Sequence, residues 1–184
     1  MVCAARTRAD VEAVAAEICA AGGEAIAVRC DVNDDGMRRA TVAAALEAFG
    51  PITHLVNNAG GAGPNDPLRM SVEEFEQVLR FNVGSAYALT QLCVPHMRQA
   101  GAGNVLNITS GAARYAQPQF SAYGAAKAAL TQLTRLLAHD FAPTVRVNAI
   151  APGPILTDAL TSPRRRPPPT RAPSAPSTPP AARR

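Results

Sequence analysis

"EAIAVRCDVNDDGMRRATVAAALEAFGPITHLVNNAG", residues 24–60, sets a strand, a helix and a second strand in direct succession. "EAIAVRC" is a short apolar run containing β-branched Ile26 and Val28, bounded by Gly22-Gly23 before it and Asp31 after it. From about Asp34 to Phe49 the pattern is helical, and Gly50-Pro51 stops it. "THLVN", 53–57, reads as the next strand. Two strands joined through a helix lie parallel, and such crossovers are right-handed.

The same alternation continues in both directions. Upstream, "VCAA" (2–5) looks like the end of a strand, followed by a helix from about Arg8 to Ala21 with Val11, Val14, Ala15 and Ile18 at helical spacing. Downstream, Ser71 with Glu74 forms a capping box that opens helical sequence to about Gln99, with Pro95 a candidate kink. "NVLNIT" is a strand, residues 120–141 a long helix, and "VRVNAIA" a last strand before Pro152-Gly153. The expectation is an α/β fold, a Rossmann-like doubly wound parallel sheet, in one domain over residues 1–162.

Composition narrows the function classes. The chain has 184 residues, 47% of them hydrophobic, with no run of the roughly 20 apolar residues that a membrane helix needs. "MVCAARTRAD" lacks the pattern of a secretory signal, so a cytoplasmic protein without a membrane partner is expected. Cys3, Cys19, Cys30 and Cys93 form no CxxC pair and have no His cluster beside them, which argues for reduced thiols and no metal. The net charge of +4 belongs to the end of the chain. From Pro163 onward there are six Arg, eight Pro and no acid, whereas residues 1–162 sum to −2. The 163–184 segment therefore reads as a disordered Pro/Arg-rich tail, and nucleic acid is not an expected partner.

In an open parallel sheet, ligands bind beyond the carboxyl ends of the strands. The residues there are Arg6, Asp31 with Val32, "NNAG" at 57–60, "TSG" at 109–111 and "PGPILT" at 152–157. Just past them, "YGAAK" (123–127) holds the only lysine of the chain, against 17 arginines. Positions i and i+4 share a helix face, so Tyr123 and Lys127 stand one above the other. A neighbouring ammonium favours a phenolate, which makes the pair a proton donor and acceptor usable nearer neutrality. An ammonium, unlike a guanidinium fork, is a compact charge with three rotatable donors.

Tyr123 and Lys127 follow Ser110 at a strand end, Asn82 in "FNVGS", and "NNAG", with "RVNAIAPGPILTD" behind them. In this order and spacing the chain resembles the short-chain dehydrogenase/reductase family from residue 1 to about 162. The resemblance implies hydride transfer between a nicotinamide and a small-molecule secondary alcohol or ketone. In that reading Tyr123 is the general acid/base, Ser110 bonds the substrate oxygen, Lys127 eases deprotonation of Tyr123 and holds the ribose, and Asn82 maintains a water relay to Lys127. Asp31 would contact adenine, Asn57, Ala59 and Gly60 would line the adenosine side, Ile155 with Thr157 would clamp the carboxamide, and Val32, Pro152 and Gly153 would add further cofactor contacts. Asn57, Asn58 and Ser110 also suit plain turn roles. Where an acid would bind a ribose diol the chain has "AART", so Arg6 favours NADP over NAD; Arg8 either assists or is a solvated helix residue.

"NNAGGAGP" and "APGPILTDAL" are similar to bacterial hydroxysteroid dehydrogenases of the family, the 7-alpha type among them, and also to 3-oxoacyl and sugar-alcohol reductases. Tyr115 and Gln117, after Ser110, suit either substrate contact or plain loop surface. The family implies a homo-oligomer built on helices around 82–99 and 120–141. It also implies a first strand with a TGxxxGxG loop and a final C-terminal strand, neither of which occurs here. That first strand is central in the order 3-2-1-4-5-6, so the expected sheet is cut in the middle. The alternative expectation is accordingly a truncated, non-catalytic remnant or oligomerisation partner. The tail composition also suits a shifted reading frame through GC-rich coding.

Overall fold

The computed structural model describes residues 1–155; Thr157 and the 163–184 tail lie outside the described residues. In chain order the elements are β1 (Val2–Ala5), α1 (Arg8–Ala20), β2 (Ile26–Arg29), α2 (Asp35–Phe49), β3 (His54–Asn57), α3 (Val72–Leu79), α4 (Ser85–Gln99), β4 (Gly103–Ile108), α5 (Ser121–Asp140) and β5 (Val145–Ile150). Local chemistry sets the helix starts. The Asp34 carboxylate accepts from the Met37 amide at 2.8 Å to begin α2. Ser71 Oγ accepts from the Glu74 amide at 3.1 Å while Glu74 returns a bond to the Ser71 amide at 2.8 Å, satisfying donors that a helix N-terminus leaves open. Gly50, at φ 73°, closes α2 in a conformation that L side chains rarely adopt.

All strands pair in parallel, and they form two sheets. β1 pairs with β2, from Val2 opposite Ile26 to Ala5 opposite Arg29. β4 is flanked by β3 and β5, with Val105 opposite Leu55 on one side and Val147 on the other. No described strand joins β1 to β3. The cut expected in the middle of the sheet is thus present, and its effect reaches the side chains: Val56, inside β3, is 57% exposed.

The larger core lies on the three-stranded sheet. Val105, Val145 and Val147 pack with Cys93, Val94 and Met97 of α4, Leu137 of α5 and Val42 of α2. Burying a side chain of this kind contributes about 1.5–3 kcal/mol. Gly103 is needed for the close approach of α4, since a Cβ there would lie 2.5 Å from Met97 Cβ. The β1–α1–β2 half buries less, chiefly Val11, Ala15 and Cys30.

Pro95 does not interrupt α4. The irregularity falls earlier, where Arg80–Gly84 forms a π-helical turn joining α3 to α4. Such turns widen a helix by one residue and occur often at functional sites. Among the described residues no helix is long and apolar enough to cross a membrane.

Candidate active site

Asn82 sits in the π-helical turn and is completely buried. Its amide donates to the Val78 carbonyl, one turn back, at 2.9 Å and to the Gly61 carbonyl at 3.1 Å. Its Oδ1 accepts from the Gly61 N–H at 2.9 Å. One side chain thereby fixes the loop after β3 through both polar groups of a single residue.

Lys127 approaches the same loop from α5. It is 3% exposed, and its Nζ donates to the Ile108 carbonyl at the end of β4 at 2.8 Å. No carboxylate pairs with it among the described residues. Burial alone draws its pKa down to about 8, because a low-dielectric surrounding disfavours the charged form. The ammonium stands 5.8 Å from the Tyr123 ring centroid. Phe120 meets that ring edge-on at 6.2 Å, holding it against the start of α5. Gly60 fits between the two polar groups: a Cβ there would lie 2.7 Å from Asn82 Oδ1 and 2.8 Å from Lys127 Nζ.

Ser110 follows β4 by two residues and caps the short 3₁₀ turn Gly111–Ala113, its Oγ accepting from the Ala112 amide at 3.2 Å. The turn is tied to the β5 exit by the Gly111 N–H, which donates to the Pro152 carbonyl at 2.9 Å. Gly124 of α5 lies close to the same turn, since a Cβ on it would be 3.1 Å from the Ala112 carbonyl oxygen. The structure therefore gathers Asn82, Gly60, Tyr123, Lys127 and the carbonyl two residues before Ser110 at one sheet edge.

Beside this group a cleft of about 320 Å³ runs between β1 and β3. Arg6, Val32, Asn57, Ala59 and Gly60 line it together with Ala4, Ala5 and Phe81. Arg6 is exposed, whereas the Arg8 guanidinium is engaged 2.7 Å from Glu12 on α1. Asp31 lies between two lining residues, Cys30 and Val32, and its carboxylate accepts from the Asn33 amide at 2.9 Å in a tight turn. Pro152, Gly153 and Ile155 follow β5, with Ile155 59% exposed. A second cleft, about 450 Å³, is lined by Tyr115, Gln117, Phe120 and Gly124; none of Asn82, Ser110, Tyr123 or Lys127 borders it.

The Asn57 side chain turns inward. Its amide donates to Asn107 Oδ1 at 2.9 Å and to Thr90 Oγ1 at 3.3 Å, and the Asn107 amide donates to Thr134 Oγ1 at 2.9 Å. This buried polar chain braces β3, β4, α4 and α5 beneath the site. Asn107 and Thr134 were not among the residues picked from sequence. The available signal was a polar residue between Val105 and Thr109 on the buried face of a strand, which requires a partner.

The family model described as short chain dehydrogenase matches residues 1–167. An uncharacterized oxidoreductase of Mycobacterium tuberculosis is 47% identical over 158 residues, covering 85% of this chain and 60% of that protein. The 7alpha-hydroxysteroid dehydrogenase of Escherichia coli K12 is 42% identical over 147 residues, covering 79% of this chain and 57% of that one. A solved structure of a 7alpha-hydroxysteroid dehydrogenase complexed with NADH and 7-oxo glycochenodeoxycholic acid superposes with a TM-score of 0.84 at 40% identity, covering 88% of this chain and 63% of the other. The chain thus spans less than two thirds of the length of these relatives.

Proposed function

Since this chain belongs to the short chain dehydrogenase family, we propose that its site interconverts a secondary alcohol and a ketone with a nicotinamide dinucleotide, NADP in preference to NAD. The observation that carries this reading is the buried Lys127, held by the Ile108 carbonyl beside Tyr123 and across Gly60 from Asn82. When bound, the nicotinamide supplies or accepts the hydride.

In the reducing direction the Tyr123 hydroxyl gives its proton to the carbonyl oxygen as the carbon receives hydride. The Lys127 ammonium stabilises the phenolate that remains. Ser110 orients the substrate oxygen, and Asn82 holds the loop that carries Gly60. In the oxidising direction the same proton returns to Tyr123.

The dinucleotide fits the residues present. Ala4, Ala5, Ala59 and Gly60 keep the cleft wall shallow, and the exposed Arg6 at its rim suits a 2′-phosphate. Asp31, Val32, Pro152, Gly153, Ile155 and Thr157 complete the proposed contacts. Asn57 serves this wall through its backbone, its side chain being committed to the core. For substrate we propose a hydroxysteroid, with 3-oxoacyl compounds as the competing class, taken up by a homo-oligomer in the cytoplasm.

The divided sheet favours a second reading, a folded chain that has the catalytic groups but does not hold the nucleotide. Titration of the folded chain with NADPH and with NADH, followed by nicotinamide fluorescence, separates the two. Saturable binding that prefers NADPH, and that Arg6→Ala weakens roughly tenfold or more for NADPH alone, supports the oxidoreductase. Equal affinity for both nucleotides removes the NADP preference. No saturation by either establishes the second reading.

A further inference from the structure

Among the described residues the Lys127 ammonium makes one hydrogen bond, from Nζ to the Ile108 carbonyl at 2.8 Å. That carbonyl lies one residue past Asn57 and Asn107, the last positions at which β3 and β4 pair. A lysine carries its charge on a flexible four-carbon stem. Where the charge comes to rest therefore depends on how α5 is set lengthwise against β4.

β4 holds α5 a second time, from the residue next to Ile108. The buried Asn107 amide donates to Thr134 Oγ1 at 2.9 Å, and the buried Thr134 hydroxyl gives its own proton to the Leu130 carbonyl at 2.8 Å. Asn107 Oδ1 is occupied by the Asn57 amide at 2.9 Å, so the bond between Asn107 and Thr134 has one possible direction. Thr134 lies two turns after Lys127 on the same side of α5. Adjacent residues of one strand thus grip two levels of one helix. The apolar burial of Leu130 and Leu137 on α5 is non-directional. The Asn107–Thr134 bond weakens steeply when misaligned, and it is this bond that distinguishes one lengthwise setting from its neighbours.

We propose that Asn107 and Thr134 are positioning residues for Lys127: their bond fixes α5 on β4 at the setting that lets Nζ meet the Ile108 carbonyl beside Tyr123. The proposal deepens the proton-transfer reading of Tyr123 and Lys127 and rests on it for its functional meaning, while its geometry is testable without nucleotide or turnover. Thr131 marks the contrast. Its hydroxyl also donates one turn back, to the Lys127 carbonyl itself at 2.8 Å, but among the described residues no side-chain bond ties it to β4.

The chain has a single lysine, so the full 184-residue protein grown with isotope-labelled lysine gives one side-chain NMR signal, whose pH titration reads Lys127 in the native state. Of the groups that face Nζ, the Ile108 carbonyl from β4, Gly60 and Asn82 across the loop after β3, and Tyr123 on α5, only Tyr123 titrates. The parent should titrate at about 8. Thr134→Val keeps the shape and removes the acceptor; the ammonium then leaves the carbonyl for water, and the midpoint should rise by about one unit or more. Thr134→Ser keeps the hydroxyl and should restore the parent midpoint. Thr131→Val, though nearer to Lys127, should leave it in place. Thr134→Ala, which leaves room for a water on the Asn107 amide, carries the same expectation as the valine variant and replaces it if that chain does not fold. A loss of stability alone does not move a native-state midpoint. An unchanged midpoint in the valine and alanine variants, or an equal rise in Thr131→Val, would overturn the proposal. Nucleotide titration of the parent keeps the two readings apart, because failure to bind NADPH or NADH leaves these midpoints as they are.

Discussion

Lys127 is a buried ammonium with no carboxylate paired to it among the described residues, and its titration is therefore written into the stability of the chain. Its pKa is drawn down to about 8 in the fold, against about 10.4 for a free lysine. Between those values the unfolded chain binds more protons than the folded one, so this residue makes stability rise with pH. The cost of burying the charged form is fully present below about pH 8 and disappears as pH climbs toward 10. Urea melts of the parent and of Lys127→Met at pH 7 and pH 10 isolate the contribution. The stability advantage of the variant should shrink by about 1–3 kcal/mol across that interval. A pH-independent difference would mean that the ammonium is solvated.

At the level of elements, the strands and most helices were legible because their signals are local. Gly22-Gly23, Gly50-Pro51 and the Ser71–Glu74 box mark ends that the structure reproduces within a residue or two. The divided sheet was legible for the same reason, as a missing strand in a counted alternation. The π-helical turn was not. It carries Asn82, which reaches Gly61, 21 residues earlier, and nothing in "LRFNVGS" announces that contact. The inward turn of Asn57 was hidden likewise, since its partners Asn107 and Thr90 are distant in sequence. That network makes a prediction for the elements that it joins. Asn107→Ala removes one bond each from Asn57 and Thr134, which keep Thr90 Oγ1 and the Leu130 carbonyl as partners, and should cost about 1–2 kcal/mol in urea denaturation. In a double-mutant cycle with Thr134→Val the two changes should couple by more than about 0.5 kcal/mol. Strict additivity would show that the bond contributes nothing.

For the whole molecule, the two sheets differ in how much they bury. The main core joins α2, α4 and α5 to the three-stranded sheet, while β1, α1 and β2 contribute none of its buried members. Regions with few buried apolar contacts open at lower free energy than the global transition. Hydrogen exchange should therefore release the amides of 2–5 and 26–29 well before those of 103–108 and 145–150. Equal protection across both sheets would show that they unfold as one unit.

The single lysine has one more consequence, for how the chain meets other reagents. A protease that cuts only after lysine has one site in all 184 residues, the Lys127–Ala128 bond in the interior of α5. The folded chain offers such a protease almost nothing, because Lys127 is 3% exposed and helical, and each opening of α5 offers it a single identical event. The sequence thus carries its own clock for that helix, read as one cut per molecule.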